Sequence, residues 1–327
     1  MVEKFLFIGS IFVATFVLLC VIGQPPSEDL QELQESYPHH REIDPRPSHI
    51  STPMPDYKPY FEIVEQLREW HQESLDLTEI GVYGKSAKGT DLWYIRITNF
   101  VTPSEQRRRP IVLMTGATHG NESISSMTIL AYAGELLSKY GRDRQITELV
   151  NTRDIYIIPI VSPDTFPHSR HVNRVDPNRD YPTFDDPNKR SIPIIQSLRD
   201  FVLKIQPNAI ISGHSFGKVF IYPWGDTALD CPNKEDYLSI LSEMQNKSGY
   251  KMLKLSKVYG RPIYGTEADW YYRQGFFSVV AEYGNHQKPP TFNEIRKEFL
   301  QTFKAILYFI EVAPQVRVKQ LSFRSAA

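Results

Sequence analysis

Two histidines, two glutamates and a run of arginines carry the chemistry this sequence offers. His119 and Glu122 stand three residues apart, His214 follows two further apolar runs downstream, and Glu282 closes the last such run. Between them lies a polar cluster of Arg170, Asn173, Arg174, Asp176, Asn178 and Arg179. Two histidines and one carboxylate make a zinc site that leaves a position for water, the donor set of hydrolytic zinc enzymes. A carboxylate held nearby but off the metal, as Glu282 would be, acts as general base toward that water. An arginine stabilises an oxyanion, or holds a substrate carboxylate by two parallel hydrogen bonds. Each residue alone also has a plainer reading: a chance His-x-x-Glu pair, a loop histidine, a buried carboxylate paired with arginine. Their conjunction at one edge of the fold argues for the chemistry.

The elements that must position them follow from periodicity. Residues 61–70 read as a helix, and residues 80–83 and 91–97 as strands joined through Gly84 and Gly89. Apolar runs follow at 111–114, 155–161, 209–212, 219–222 and 276–281. Met127, Leu130, Ala131, Gly134 and Leu137 recur at helical spacing between the first two runs. Thr291 with Glu294 forms a capping box ahead of Ile295, Phe299, Phe303, Ile306 and Ile310 on one helical face. Short apolar strands alternating with amphipathic helices predict an α/β fold, a mixed, mostly parallel twisted sheet with helices on both faces. Open sheets of this kind bind ligands beyond the carboxyl ends of their strands. His119, Glu122, His214 and Glu282 all fall there.

Composition excludes other classes. The chain has 327 residues, 41% hydrophobic and 23% charged, with a formal net charge of -1. Those fractions are globular, and the charge gives no electrostatic footprint for nucleic acid or an anionic membrane. Lys4 followed by an apolar stretch to Ile22 reads as a secretory signal over residues 1–23. At about 18 residues the stretch also reaches bilayer-spanning length, so a retained anchor is the alternative. Residues 24–56, rich in proline, read as a flexible leader, residues 57–315 as one catalytic domain and 316–327 as a C-terminal tail. Cleavage removes Cys20 and leaves Cys231 unpaired. The expected product is extracellular and monomeric, with no membrane partner unless the signal is retained. Of two sequons, Asn246-Lys247-Ser248 is expected to carry a glycan and Asn121-Glu122-Ser123, inside the site, is not.

Taken in chain order, His119-Gly120-Asn121-Glu122, Val175-Asp176-Pro177-Asn178-Arg179, Gly213-His214-Ser215, Ile221-Tyr222-Pro223-Trp224-Gly225, Tyr259, Asp269-Trp270 and Ala281-Glu282 resemble the motifs of the zinc metallocarboxypeptidases of the carboxypeptidase A type. The resemblance runs over residues 57–313. It implies one Zn2+ per chain held by His119, Glu122 and His214, with Glu282 as general base and proton shuttle. It implies that Asn178 and Arg179 hold the free C-terminus of a peptide or protein substrate under Tyr259, and that Asp176 orients His119. Arg170 is the implied oxyanion arginine, with Arg174 the alternative. Ala268 matches the floor of the pocket for the terminal side chain, with Gly225 and Val280 around it, which implies apolar or aromatic preference. A one-residue slip would bring Glu267 or Asp226 into that pocket and imply basic preference instead. Asn121 stands where pancreatic members carry arginine, as in the regulatory members, yet neither the β-sandwich that usually follows in that subgroup nor a globular pro-domain within the short leader is expected. The implied reaction is hydrolysis of the C-terminal peptide bond by a zinc-bound water that a glutamate activates. The alternatives are a zinc amidohydrolase of small acylated amino acids or cell-wall peptides, and a non-catalytic secreted binding homologue.

Overall fold

The structure, a computed structural model, describes residues 57–101 and 109–319. The expected signal and leader, residues 1–56, and tail residues 320–327 lie outside the described residues. The element order is α1 (Tyr60–Glu73), β1 (Thr78–Lys85), β2 (Asp91–Ile97), β3 (Ile111–Thr115), α2 (Ser123–Lys139), α3 (Arg144–Thr152) and β4 (Asp154–Ile158), then α4 (Pro193–Ile205), β5 (Ala209–His214) and β6 (Val219–Tyr222). After these come α5 (Lys234–Ser248), β7 (Lys251–Lys254), α6 (Leu255–Val258), α7 (Glu267–Arg273), β8 (Phe277–Glu282) and α8 (Phe292–Val312). The eight strands form one sheet in the order β1-β2-β4-β3-β5-β8-β6-β7. Pairs β3·β4, β3·β5, β5·β8 and β6·β7 are parallel, whereas β1·β2, β2·β4 and β6·β8 are antiparallel. The expected mixed sheet is what the chain forms.

The central strands are uninterrupted apolar runs because both of their faces are covered. On β3, Val112 and Met114 enter one core cluster while Ile111 and Leu113 enter the other. β4 and β5 alternate in the same way, with Ile155, Ile157, Ala209 and Ile211 on one face and Tyr156, Ile158 and Ile210 on the other. The first face is packed by α2, α5 and α8 through residues such as Leu130, Leu241 and Ile306, the second by α4 and α7 through Leu198, Val202 and Trp270. Helices α3, α4 and α5 lie outside the segments that the periodicity singles out. The run expected over 155–161 stops as a strand at Ile158, because Pro159 has no N–H to give the ladder. The Thr291 capping box forms as expected, with Glu294 N–H on Thr291 Oγ1 and Thr291 N–H on Glu294 Oε2. Residues 316–319, the start of the expected tail, are docked: Val316 and Val318 pack on the core and Lys319 N–H donates to Asn233 Oδ1 at 2.8 Å.

Leu198 is fully buried between α4 and the sheet. Replacing it with alanine is expected to cost about 2–5 kcal/mol, read as a lower denaturation midpoint at unchanged m-value; a shift under about 0.5 kcal/mol contradicts the packing described.

Candidate active site

The topology decides where a site can form. β3 leads through α2 and α3 to β4 on one side, and the chain then crosses to β5 on the other side of β3. That reversal leaves a crevice beyond the carboxyl ends of β3 and β5. The loop after β3 carries His119 and Glu122, and His214 is the last residue of β5. β8 lies beside β5 in parallel register, with Glu282 opposite His214. Gly120 is required in the loop: a Cβ there would lie 2.7 Å from the Thr165 carbonyl oxygen. Gly120→Ala is therefore expected to displace the loop, with weaker metal binding and at least about 1 kcal/mol lost stability. Unchanged metal affinity by titration would count against this placement.

His119, Glu122 and His214 are brought together and buried, at 2%, 1% and 2% exposure. Their candidate ligand atoms lie within 4.8 Å of one another. The two Nδ1 atoms are 3.2 Å apart, and each is 2.9 Å from a Glu122 oxygen. On the far side of each ring stands a carboxylate: Asp176 Oδ1 at 2.8 Å from His119 Nε2, and Glu267 Oε1 against His214 Nε2. Asp176 and Glu267, as ionised carboxylates, only accept, so the outer Nε2 of each ring carries a proton and Nδ1 is the nitrogen left for a metal. Two imidazole nitrogens and a carboxylate converging out of water need a positive charge between them, a proton or a metal ion. The set is that of zinc.

The electrostatics show the same demand. Burial opposes charge on His214, yet Glu267 and Glu122 outweigh it and push its pKa well above the ordinary value. Burial would raise Glu122, but His214 and His119 hold it well below the usual carboxylate range. Asp176 is likewise held low against its burial by His119, Arg170 and Arg179. Burial pushes Glu282 the other way, up to about 7 against the pull of His214, with Glu122 adding to the rise.

Around the three donors opens a cavity of about 560 Å³ lined by Arg170, Asn178, Ser215, Phe216, Tyr259, Glu282 and Gln287 among others. The Arg170 guanidinium donates to Glu122 Oε1 at 3.2 Å and to Asp176 Oδ2 at 3.1 and 3.2 Å. Arg174 sits on an exposed turn at φ 69° and does not line the cavity. Asn178 Oδ1 accepts the Glu267 N–H at 2.9 Å, which turns its amide nitrogen toward His214. Arg179 stands behind the wall, its guanidinium 5.6 Å from the centroid of the Tyr259 ring, and Tyr259 is 49% exposed. Gly265, at φ +69°, lets the chain pass the Arg179 carbonyl, which a Cβ would meet at 2.5 Å.

One row across the sheet continues the site outward. His214 pairs with Glu282, Glu282 with Val219, and Val219 with Lys251, so all four share a face. Val219, Ile221, Leu253 and Val258 give the cavity an apolar wall, with Lys251 at its end. Ala268 lies behind that wall and does not line the cavity. It is 1% exposed inside a cluster with Val219, Ile221, Leu255, Ile263 and Val280. Leu255 packs directly on Gly225, whose added Cβ would lie 2.7 Å from Leu255 Cδ2, so the space expected beside Ala268 is filled. Neither acid that a register slip would bring there is free: Asp226 pairs with Arg273, and Glu267 with His214.

One contributor, Gln287, carries no mark in the sequence reading, and Ser215, quoted there only beside His214, adds a backbone donor. Gln287 donates to Glu122 Oε1 and to the Ser215 carbonyl, both at 3.2 Å, from the loop after β8, where nothing in the sequence singles it out. The Ser215 N–H donates to Glu122 Oε2 at 3.0 Å. Glu267 is expected near the pocket for a side chain and is found on a histidine instead. A buried acid at the first position of an α-helix, directly after a Gly-Thr pair, is the available signal.

A family model described as zinc carboxypeptidase matches residues 63–305. Among curated relatives, carboxypeptidase SOL1 of Arabidopsis thaliana is 25% identical over 250 residues, covering 70% of this chain and 50% of that protein. Carboxypeptidase A2 of Rattus norvegicus is 26% identical over 229 residues, covering 60% and 54%. The chain thus spans about half the length of the curated relatives it matches. Among solved structures, thrombin activatable fibrinolysis inhibitor superposes with TM-score 0.72 at 20% identity over 88% of this chain and 81% of its own. Carboxypeptidase A from Helicoverpa armigera gives 0.67 at 20% identity over 80% and 74%. At these identities the structures speak for the fold.

Proposed function

The chain belongs to the zinc carboxypeptidase family, and we propose that it is a secreted metallocarboxypeptidase that hydrolyses the C-terminal peptide bond of peptides or proteins. The observation that carries the reading is the convergence of His119 Nδ1, His214 Nδ1 and the Glu122 carboxylate in a cavity that Glu282 and Arg170 also face. His119, Glu122 and His214 would hold one zinc ion, which supplies Lewis acidity toward the scissile carbonyl when bound. Glu282 takes the proton of the attacking water and delivers it to the leaving amine; its environment, which favours the protonated form up to about 7, suits a group that must do both. Arg170 offers N–H donors to the oxyanion as it develops. Asn178, on the cavity lining, would hold the terminal carboxylate together with Arg179, which lies outside the lining beside Tyr259 and reaches it once that ring moves aside; the apolar wall of Val219, Ile221, Leu253 and Val258 would take the terminal side chain. With Asp226 and Glu267 already paired and Lys251 at the end of that wall, an apolar residue is preferred over Lys or Arg. Secretion is supported by the Lys4 and apolar N-terminal sequence. Among the described residues no helix is long and apolar enough to cross a membrane.

The test is release of the terminal residue from N-blocked dipeptides ending in Phe, Leu, Arg, Lys or Glu, alongside C-terminally amidated controls and N-acyl amino acids. Chelator-sensitive cleavage of the free acids with Phe or Leu fastest is expected. Hydrolysis of N-acyl amino acids but not of peptides would favour the amidohydrolase reading. Arg179→Ala is expected to lower kcat/KM on free-acid substrates by about 10²-fold or more, with amidated substrates affected far less. Equal losses on both would remove Arg179 from the clamp.

A further inference from the structure

We propose that Glu267 is a positioning residue for the metal, a second carboxylate that fixes His214 as Asp176 fixes His119. The assignment rests on the zinc carboxypeptidase reading of the site and deepens it. Glu267 is the first residue of α7 and is 0% exposed. Its Oε1 meets His214 Nε2, its Oε2 lies 3.4 Å from Thr118 Oγ1, and its backbone N–H is taken by Asn178 Oδ1. A carboxylate buried to this degree costs several kcal/mol unless a cation compensates it. Among the described residues no lysine or arginine forms an ion pair with Glu267; its ionic partner is the His214 ring. The ring gives its Nε2 proton to Glu267, and a metal on Nδ1 would polarise the ring and strengthen that donor.

Geometry argues against the other use of such an acid, selection of a basic terminal side chain. Glu267 does not line the cavity, and His214 stands between it and the place where a substrate would lie. Its position is instead the counterpart of Asp176, on the outer nitrogen of the second ring. Carboxylates so placed fix the tautomer, lock the ring plane and raise the basicity of the nitrogen that faces the metal. α7 delivers this group rigidly. Thr266 Oγ1 caps it at Asp269 N–H, and both Asp269 oxygens accept N–H groups of the Gly225–Asp226 turn.

The experiment compares zinc affinity of the wild-type chain, Glu267→Gln and Glu267→Asp by competition with a chromophoric chelator, with the visible spectrum of the Co2+-loaded proteins as a second readout. Glu267→Gln should raise the zinc dissociation constant about 10- to 100-fold and shift the Co2+ bands, while the metal-free variant melts no lower than metal-free wild type. Glu267→Asp, which keeps the charge, should recover part of the lost affinity and serves if the glutamine variant does not fold. Affinity within twofold of wild type in both variants overturns the assignment, whichever way substrate preference moves. Wild-type protein that binds no zinc sinks the functional reading and this assignment with it, whereas unaltered variants beside a zinc-binding wild type sink this assignment alone.

Discussion

Glu282→Gln should abolish most peptide cleavage while leaving the metal in place: kcat falls by about 10²- to 10⁴-fold, the range of a general acid–base group, with zinc content unchanged. Glutamine preserves the shape at the end of β8 and the register with His214, but it cannot accept a proton from water at neutral pH. The prediction extends to pH. Burial lifts the Glu282 carboxyl to about 7 without a metal, and the base works only when ionised. Activity must therefore rise with pH through the acidic limb, with its midpoint at or below about 7, since a nearby dication favours the anion. A variant that keeps wild-type kcat, or a wild-type profile flat between about pH 4 and 8, would remove Glu282 from the role of base.

Zinc removal should be the second large effect. The metal binds the folded donor set and not the separated residues of the unfolded chain, so at a free concentration about 1,000 times its dissociation constant it adds roughly 4 kcal/mol. For a domain of this size that is a melting shift of about 8–16 °C. Dialysis against a chelator should lower Tm by that amount and reduce cleavage to background, and one equivalent of Zn2+ should restore both. His214→Ala should behave as the chelated protein does and fail to recover on zinc addition. A chelated sample with metal content near zero but unaltered Tm and activity would mean that these three residues hold no functional ion.

Much of the fold and of the site is legible in the amino-acid sequence, and for physical reasons. Strands buried on both faces must be uninterrupted apolar runs, so β3, β5, β6 and β8 stand out. Ligands sit past the carboxyl ends of such strands, so His119, Glu122, His214 and Glu282 read as one site from their place after the runs. The helix at 292–312 carries its own start signal in Thr291 and Glu294. The pocket is another matter. Gly225, Ala268 and Val280 are small residues near one another, but whether they bound an opening depends on what fills it. Leu255 and Ile263 do so from a separate segment, with no pattern of their own to reveal it.

Glu267 marks the same division most sharply. By sequence it is one of two acids beside an expected pocket; only packing shows that α7 turns it onto the outer nitrogen of His214 and that Asp226 is already tied to Arg273. Likewise Arg174 stands as the alternative to Arg170 by sequence, until the turn at positive φ leaves Arg174 outside and Arg170 against Glu122 and Asp176. The sequence by itself determined the fold class and singled out the candidate metal donors and the proposed base, because burial periodicity and donor chemistry are local properties of the chain. Which carboxylate faces which nitrogen, and which apolar side chains close the pocket, only the tertiary structure decided. Those contacts join segments far apart in the chain, His214 with Glu267 at 53 residues and Gln287 with Glu122 at 165, and no local rule specifies them; the pairing of His119 with Asp176, 57 residues apart, is one that the family resemblance implied.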